Sequence, residues 1–139
     1  IDLKKLEVLR WIKEGIGEGP RHLVRSRAGD RLYLSANWNR KIQVMDLNQE
    51  KIIQNIDTGE LPRSMVLSPD ERFLYIDNYG DRRVSIIDLA QGREVASLET
   101  AEEPVGIDIT PDGRYLWVTN YRSHQIMVFG HETISHHGR

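Results

Sequence analysis

The side chains best suited to chemistry are two arginines, a histidine and an aspartate that fall at related points of a recurring pattern. Arg21, His22 and Arg63 follow Pro20 and Pro62 directly. Guanidinium groups beside an imidazole could hold a carboxylate or phosphate through charge-assisted hydrogen bonds. Glu18, Glu60, Glu102 and Glu103 lie nearby in sequence and offer the same cations structural ion pairs instead. Asp108 stands where the other copies of the pattern have Val24 and Val66, on what reads as an innermost strand. A carboxylate there would face a central channel, where water, a cation or an arginine would satisfy it.

A second set joins an aromatic ring to an asparagine: Asn37-Trp38, Asn78-Tyr79 and Asn120-Tyr121. Aromatic and arginine side chains are the usual anchors of binding interfaces; the structural alternative is that Asn closes a turn and the ring packs on the adjoining loop. Near the C-terminus, His131, Glu132, His136 and His137 gather ligand types that metals favour, but the HEXXH spacing of zinc hydrolases is absent. A flexible solvated tail over 131–139 is the expectation. No G-x-S-x-G elbow or glycine-rich phosphate loop occurs. The residues therefore assign no catalytic group, no metal and no cofactor.

Something must place these side chains at regular intervals, and the sequence shows what. Pro20, Pro62 and Pro104 open three copies of one unit with a period of 42 residues, which marks a repeat architecture. In the middle copy, Met65–Leu67 is a short apolar run ending at Ser68-Pro69-Asp70-Glu71, a type I turn signal. Phe73–Ile76, Val84–Ile87 and the alternating Glu94–Leu98 follow, separated by Asn78-Tyr79-Gly80-Asp81 and Ala90-Gln91-Gly92. The unit is a four-stranded antiparallel meander. Its first three runs are apolar almost throughout, so both faces must be covered. Stacking the units face to face achieves this, and the fold class is all-β: the blades of a β-propeller. Leu32, Leu74 and Leu116, with Tyr33, Tyr75 and Trp117 and with Leu34, Ile76 and Val118, form the expected core between blades.

Tyr75-Ile76-Asp77-Asn78 and Trp117-Val118-Thr119-Asn120, after Ser-Pro-Asp and Thr-Pro-Asp turns, resemble the YVTN-type β-propeller repeat. The likeness covers residues up to Gly130. The first copy departs from it, with Tyr33-Leu34-Ser35-Ala36 and a Ser26-Arg27-Ala28-Gly29 turn. The resemblance implies a scaffold that is exported, periplasmic or on the cell surface, as in surface layers. Related propellers include lactonases, quinoprotein dehydrogenases and d1-haem proteins, whose sites lie at the channel mouth. On that alternative, Arg21, His22, Arg63 and Asp108 are the candidate residues.

The chain of 139 residues has a net charge of −2 and 29% charged residues, which gives no basic face for nucleic acid. It has no apolar stretch of the ~20 residues needed to span a bilayer, and no cysteine. Residues 1–130 read as a partial propeller: 1–19 an outer strand and loop, 20–61 and 62–103 whole blades, 104–130 three strands of a third. Ile1-Asp2-Leu3 matches Met45-Asp46-Leu47, and Val8–Ile12 falls where Ile52–Ile56 sits. The N-terminal strand could thus complete the last blade, although Leu6, Leu9, Ile12 and Ile16 also fit a helical stripe. Three blades are fewer than the four to eight of a closed ring, so the remainder comes from a longer chain or from a homodimer of six blades. The reading favoured by these residues is a non-enzymatic scaffold that binds a protein or small ligand at its loop rim.

Overall fold

The computed structural model describes residues 2–130. The sequence-expected tail over 131–139, with its histidines, lies outside them. Among the described residues the strands form three sheets. Blade 1 holds β1 (Pro20–Arg25), β2 (Arg31–Ala36), β3 (Lys41–Asp46) and β4 (Lys51–Asp57). Blade 2 holds β5 (Pro62–Leu67), β6 (Phe73–Asn78), β7 (Arg83–Asp88) and β8 (Arg93–Glu99). Blade 3 holds β9 (Pro104–Ile109), β10 (Tyr115–Asn120) and β11 (Gln125–Gly130). All neighbouring strands are antiparallel and consecutive in the chain.

The unbroken apolar runs follow from the period-2 alternation of a strand whose two faces are both covered. On β6, Leu74 and Ile76 point into the layer shared with blade 1, where they meet Tyr33, Ile42, Val44 and Ile56. Tyr75, between them, points the other way and meets Leu116 and Val118 of blade 3. β7 repeats the division, with Ile87 facing blade 1 and Val84 and Ile86 facing blade 3. Of the expected core columns, Trp117 is 44% exposed, because it lies on the face of blade 3 that no further blade covers.

Polar side chains close the turns in a repeated way. Ser68 Oγ donates to Asp70 and accepts from the Phe73 amide (2.9 Å). Thr110 and Asp112 do the same for Tyr115. The first copy lacks the Pro-Asp pair, yet Ser26 accepts from the Arg31 amide (3.0 Å) and donates to Asp30 (2.8 Å), so a later aspartate restores the device. Between β1 and β2, and again between β5 and β6, two residues oppose one in a β-bulge. The displaced amides of His22 and Ser64 are taken up by Ser35 Oγ (3.0 Å) and Asp77 Oδ1 (2.8 Å).

The N-terminal segment departs from the expected strand. Val8–Ile12 is not a strand and completes no blade among the described residues, because it has no extended neighbour to supply hydrogen bonds. It instead lies beside blade 1: Gln43 Nε2 donates to the Gly15 carbonyl (3.0 Å), and the Gly17 amide donates to Gln43 Oε1 (2.7 Å). Gly17 and Gly59 hold equivalent places in the links that enter blades 1 and 2. A Cβ at Gly59 would lie 2.4 Å from Asp81 Oδ2 and 2.6 Å from Cγ of the buried Asn78. Gly59→Ala is accordingly expected to destabilise the protein by about 1–3 kcal/mol through overpacking, read as a lower urea midpoint. An unchanged midpoint would show that the link is looser than this.

Candidate functional site

Two kinds of loop share one rim, and backbone hydrogen bonds join them. Trp38 N donates to Glu18 O (3.3 Å), Tyr79 N to Leu61 O (3.1 Å), and Tyr121 N to Glu103 O (2.9 Å). Each loop between the second and third strand of a blade is thereby fastened to the link entering that blade. The asparagines are structural. Asn78 is fully buried and donates to Ser85 Oγ (2.8 Å), and Asn37 Nδ2 donates to the Pro62 carbonyl of the next blade (3.2 Å). The aromatic rings behave differently: Trp38 and Tyr121 are each 70% exposed. Trp38 lies over Gly19, whose Cβ position is 2.2 Å from Trp38 Cδ1; this close approach, at φ +65, requires glycine.

Arg63 stacks on Tyr79, with its guanidinium carbon 3.6 Å from the ring centroid. Its Nε is buried without a hydrogen-bond partner. The Glu103 carboxylate, facing the Tyr79 hydroxyl, raises its pKa above the ordinary tyrosine value. Beside this stack is a recess of about 340 Å³ lined by Leu61, Tyr79, Arg82, Glu102, Glu103 and Arg122. Ion pairs frame it. Arg82 pairs with Glu102, Arg122 reaches Glu102 and Glu103 (3.5 Å each), and Arg40 pairs with Glu60 (2.6 Å) one blade earlier.

The sequence-expected site residues therefore separate. Arg63, Tyr79 and Tyr121 share one part of the rim, and Trp38 lies one blade away along it. Of the glutamates expected to neutralise Arg21, His22 and Arg63, Glu60, Glu102 and Glu103 are taken by Arg40, Arg82 and Arg122, whose side chains leave the second-to-third-strand loops toward the links. Arg21 is exposed. His22 Nδ1 accepts from the Met65 amide (3.2 Å), joining blade 1 to blade 2, and partial burial lowers its pKa. Asp108 does not face a channel. Val24 and Val66, its equivalents, pack in the layers between blades, so the same position of β9 points to the uncovered face of blade 3. There it is paired across the strands with Trp117. The reading failed because the strands of a blade, the innermost included, alternate between its two neighbours. Arg40, Arg82 and Arg122 were missed as the partners of these glutamates; the recurrence of Arg40 and Arg82 one period apart was the available signal.

Stacked four-stranded meanders with one loop-bearing rim define part of a β-propeller. The chain belongs to the Cytochrome D1 heme domain family, whose model matches residues 35–137. Among solved structures it is similar to hydrazine synthase of Kuenenia stuttgartiensis, with 23% identity and a TM-score of 0.78, covering 91% of this chain and 36% of that one. It is also similar to putative 6-phosphogluconolactonases of Bacteroides fragilis and Bacteroides uniformis. Each is 26% identical over 88% of this chain, with TM-scores of 0.75 and 0.74 and 37% and 38% of their own chains covered. The chain thus spans less than two fifths of these structures. No curated protein sequence matches it.

The family implies a haem, and the described residues do not fit one. Axial ligation needs an imidazole, thiolate or similar lone pair. With Nδ1 of His22 accepting from Met65, the neutral ring carries its proton on Nε2 and has no second lone pair to give. His124 lies in the exposed β10–β11 turn. The rim recess is walled by ion-paired side chains rather than by an apolar slot. A second recess of about 400 Å³ opens at the opposite rim around Val24, Arg25, Val66, Leu67 and Ile109, and its lining offers no imidazole, thiolate or thioether.

Proposed function

We propose that this stretch of propeller, with repeats of the YVTN type, is a non-enzymatic scaffold that binds a protein or small ligand on the rim bearing Trp38, Tyr79 and Tyr121. The observation that carries the reading is the Arg63–Tyr79 stack flanked by two rings that are each 70% exposed. Rigid aromatic groups beside arginine bring large contact area at little entropic cost. The ion pairs around the recess hold that surface in place without leaving a free charge for acid–base work.

The alternative is a cofactor-binding or lactonase-like propeller, favoured by the family match and by the 26% identical neighbours. One pair of measurements separates the two. Extract from the source cells is passed over the immobilised wild-type chain and over a Trp38→Ser, Tyr121→Ser variant. The scaffold reading expects the variant to fold with an unchanged denaturation midpoint and to retain any captured partner at least about tenfold less well, as loss of two interface anchors requires. Titration with haemin is expected to give no stoichiometric Soret band. Equal retention by both proteins, or a one-to-one band abolished by His22→Ala, would sink the scaffold reading.

A further inference from the structure

Two buried polar atoms without a partner stand on opposite sides of one bulge in blade 2, and they are a donor and an acceptor. Arg63 and Ser64 together oppose Asp77 where β5 slips against β6. The Ser64 amide satisfies Asp77 Oδ1 (2.8 Å). Asp77 Oδ2 and Arg63 Nε are each buried with no hydrogen-bond partner among the described residues. The guanidinium lies instead on the Tyr79 ring, 3.6 Å from its centroid. One cation thus stands between a buried carboxyl and an aromatic ring of the rim.

The bulge itself does not need the acid. At the same places of the repeat, blade 1 has Arg21, Ser35 and Asn37, and blade 3 has Val105, Thr119 and Tyr121. In blade 1 the Ser35 hydroxyl takes the bulged His22 amide (3.0 Å) and donates to the Arg63 carbonyl (2.9 Å), so a neutral side chain suffices. Among the described blades, blade 2 alone joins cation, acid and ring. A buried carboxyl with one oxygen unsatisfied costs stability that a serine would not.

Arg63 is the charge that acts on Asp77. Across the sheet Asp77 lies opposite Val84 of β7, and Arg83 beside it is engaged by Glu94 and Asp81. From β9 comes the Val105 carbonyl, held by Ser64 Oγ (2.8 Å); Asp108, the one charged side chain of that strand, lies across from Trp117 on the far face. β10 carries no charged side chain. From β1, His22 turns its Nδ1 to the Met65 amide (3.2 Å) and Arg21 is exposed. Around Tyr79 stand Glu103 and Tyr121.

We infer that Arg63 is a two-position latch, resting on the Tyr79 ring while Asp77 carries its proton and turning inward to pair with the carboxylate when the proton leaves. The relative strengths set the direction. A cation on a partly exposed ring is a weak contact, whereas a guanidinium on a buried carboxylate is a charge-assisted pair. Leaving that carboxylate buried and unpaired is strongly unfavourable. The inward turn also gives each orphaned atom the other as partner. A protonated Asp77 exerts no such pull, and the ring keeps the cation.

Burial pushes the Asp77 carboxyl up to about 7, against the opposing pull of the Ser64 amide and Arg63. The changeover therefore falls at or below neutral pH, since inward pairing itself favours the charged form. Below it the rim presents a Tyr79 covered by arginine; above it that face of the ring is bare. The effect on binding rests on the rim reading proposed above, whereas the latch does not.

Nuclear magnetic resonance of the free chain tests the latch without a partner, so it can fail independently of that reading. The Arg63 Cζ signal is assigned by its loss in Arg63→Lys, and the Tyr79 ring signals by their loss in Tyr79→Phe. Followed from about pH 5 to 9, both are expected to move together through one midpoint between about 5.5 and 7.5. In Asp77→Asn, and in Asp77→Ser, which follows blade 1, both are expected to hold their low-pH positions throughout. His22, whose pKa is lowered by burial, remains in both variants, so a titration that persists in them belongs to it and overturns the latch. Wild-type signals that stay fixed over the whole range, or an Arg63 signal that moves while Tyr79 does not, overturn it as well.

Discussion

Replacing Leu74 by alanine is expected to remove about 3–4 kcal/mol of folding stability, the upper part of the range for a buried leucine. Leu74 has no exposed surface and lies within the layer between blades 1 and 2, among Tyr33, Ile42, Val44, Ile56, Met65, Ile76 and Ile87. The cost depends on whether the surroundings can close over the cavity. Here they are tied down: Leu74 pairs with Leu67 on one side and Ile87 on the other in continuous ladders. The backbone cannot advance into the void without breaking sheet hydrogen bonds, so most of the cavity persists. Leu74→Met keeps the volume and is expected to cost less than about 1.5 kcal/mol. Urea denaturation followed by far-UV circular dichroism reads both. A loss below about 1 kcal/mol for the alanine variant would mean that blades 1 and 2 do not pack through this layer.

That same residue shows why the fold was legible before the structure. Leu74-Tyr75-Ile76 is apolar without alternation, and only a strand covered on both faces tolerates this. Repetition every 42 residues then supplied the covering sheets. Position within a blade was legible, but direction was not. Asp108 occupies the place of Val24 and Val66, and the sequence cannot say whether that place turns to a channel or to the next blade; the pleat of the neighbouring blades decides it. The rim followed a similar course. Adjacent loops could be inferred from strand order, whereas the choice of Arg40, Arg82 and Arg122 as partners for the glutamates depends on side-chain reach across the loops. The bulges at His22 and Ser64 left no signal in composition or period, since an extra residue on one strand changes neither. What they do leave is an unusual polar group inside an apolar strand, and in the second blade that group is an aspartate.

Asp77 leads to the second large effect. It has no exposed surface; Oδ1 accepts from the Ser64 amide and Oδ2 has no partner. Desolvation pushes its pKa up from 3.8 to about 7, against the smaller opposing pull of the Ser64 amide and Arg63. The folded state therefore holds this proton more tightly than the unfolded chain does. The resulting stability is fully present below about pH 4 and is lost as the pH rises through 7, an effect of about 4 kcal/mol. Asp46, Asp70, Asp88 and Asp112 are held below the ordinary carboxylate value, chiefly by backbone or hydroxyl hydrogen bonds; they act in the opposite sense, as the pH falls through the acid range. His22, lowered by burial, also opposes Asp77, losing its contribution on acidification. Comparing the wild type with Asp77→Asn at each pH cancels these groups. The amide keeps the acceptor for Ser64 and replaces the orphaned oxygen by a donor. One blade earlier, Ser35 Oγ donates to the Arg63 carbonyl (2.9 Å), and the matching carbonyl belongs to Val105. Asp77→Asn is expected to be more stable than the wild type by a few kcal/mol at pH 8, with the difference shrinking steadily toward pH 4. A difference that stays flat across this range would mean that Asp77 is ionised in the fold and that its second oxygen is satisfied.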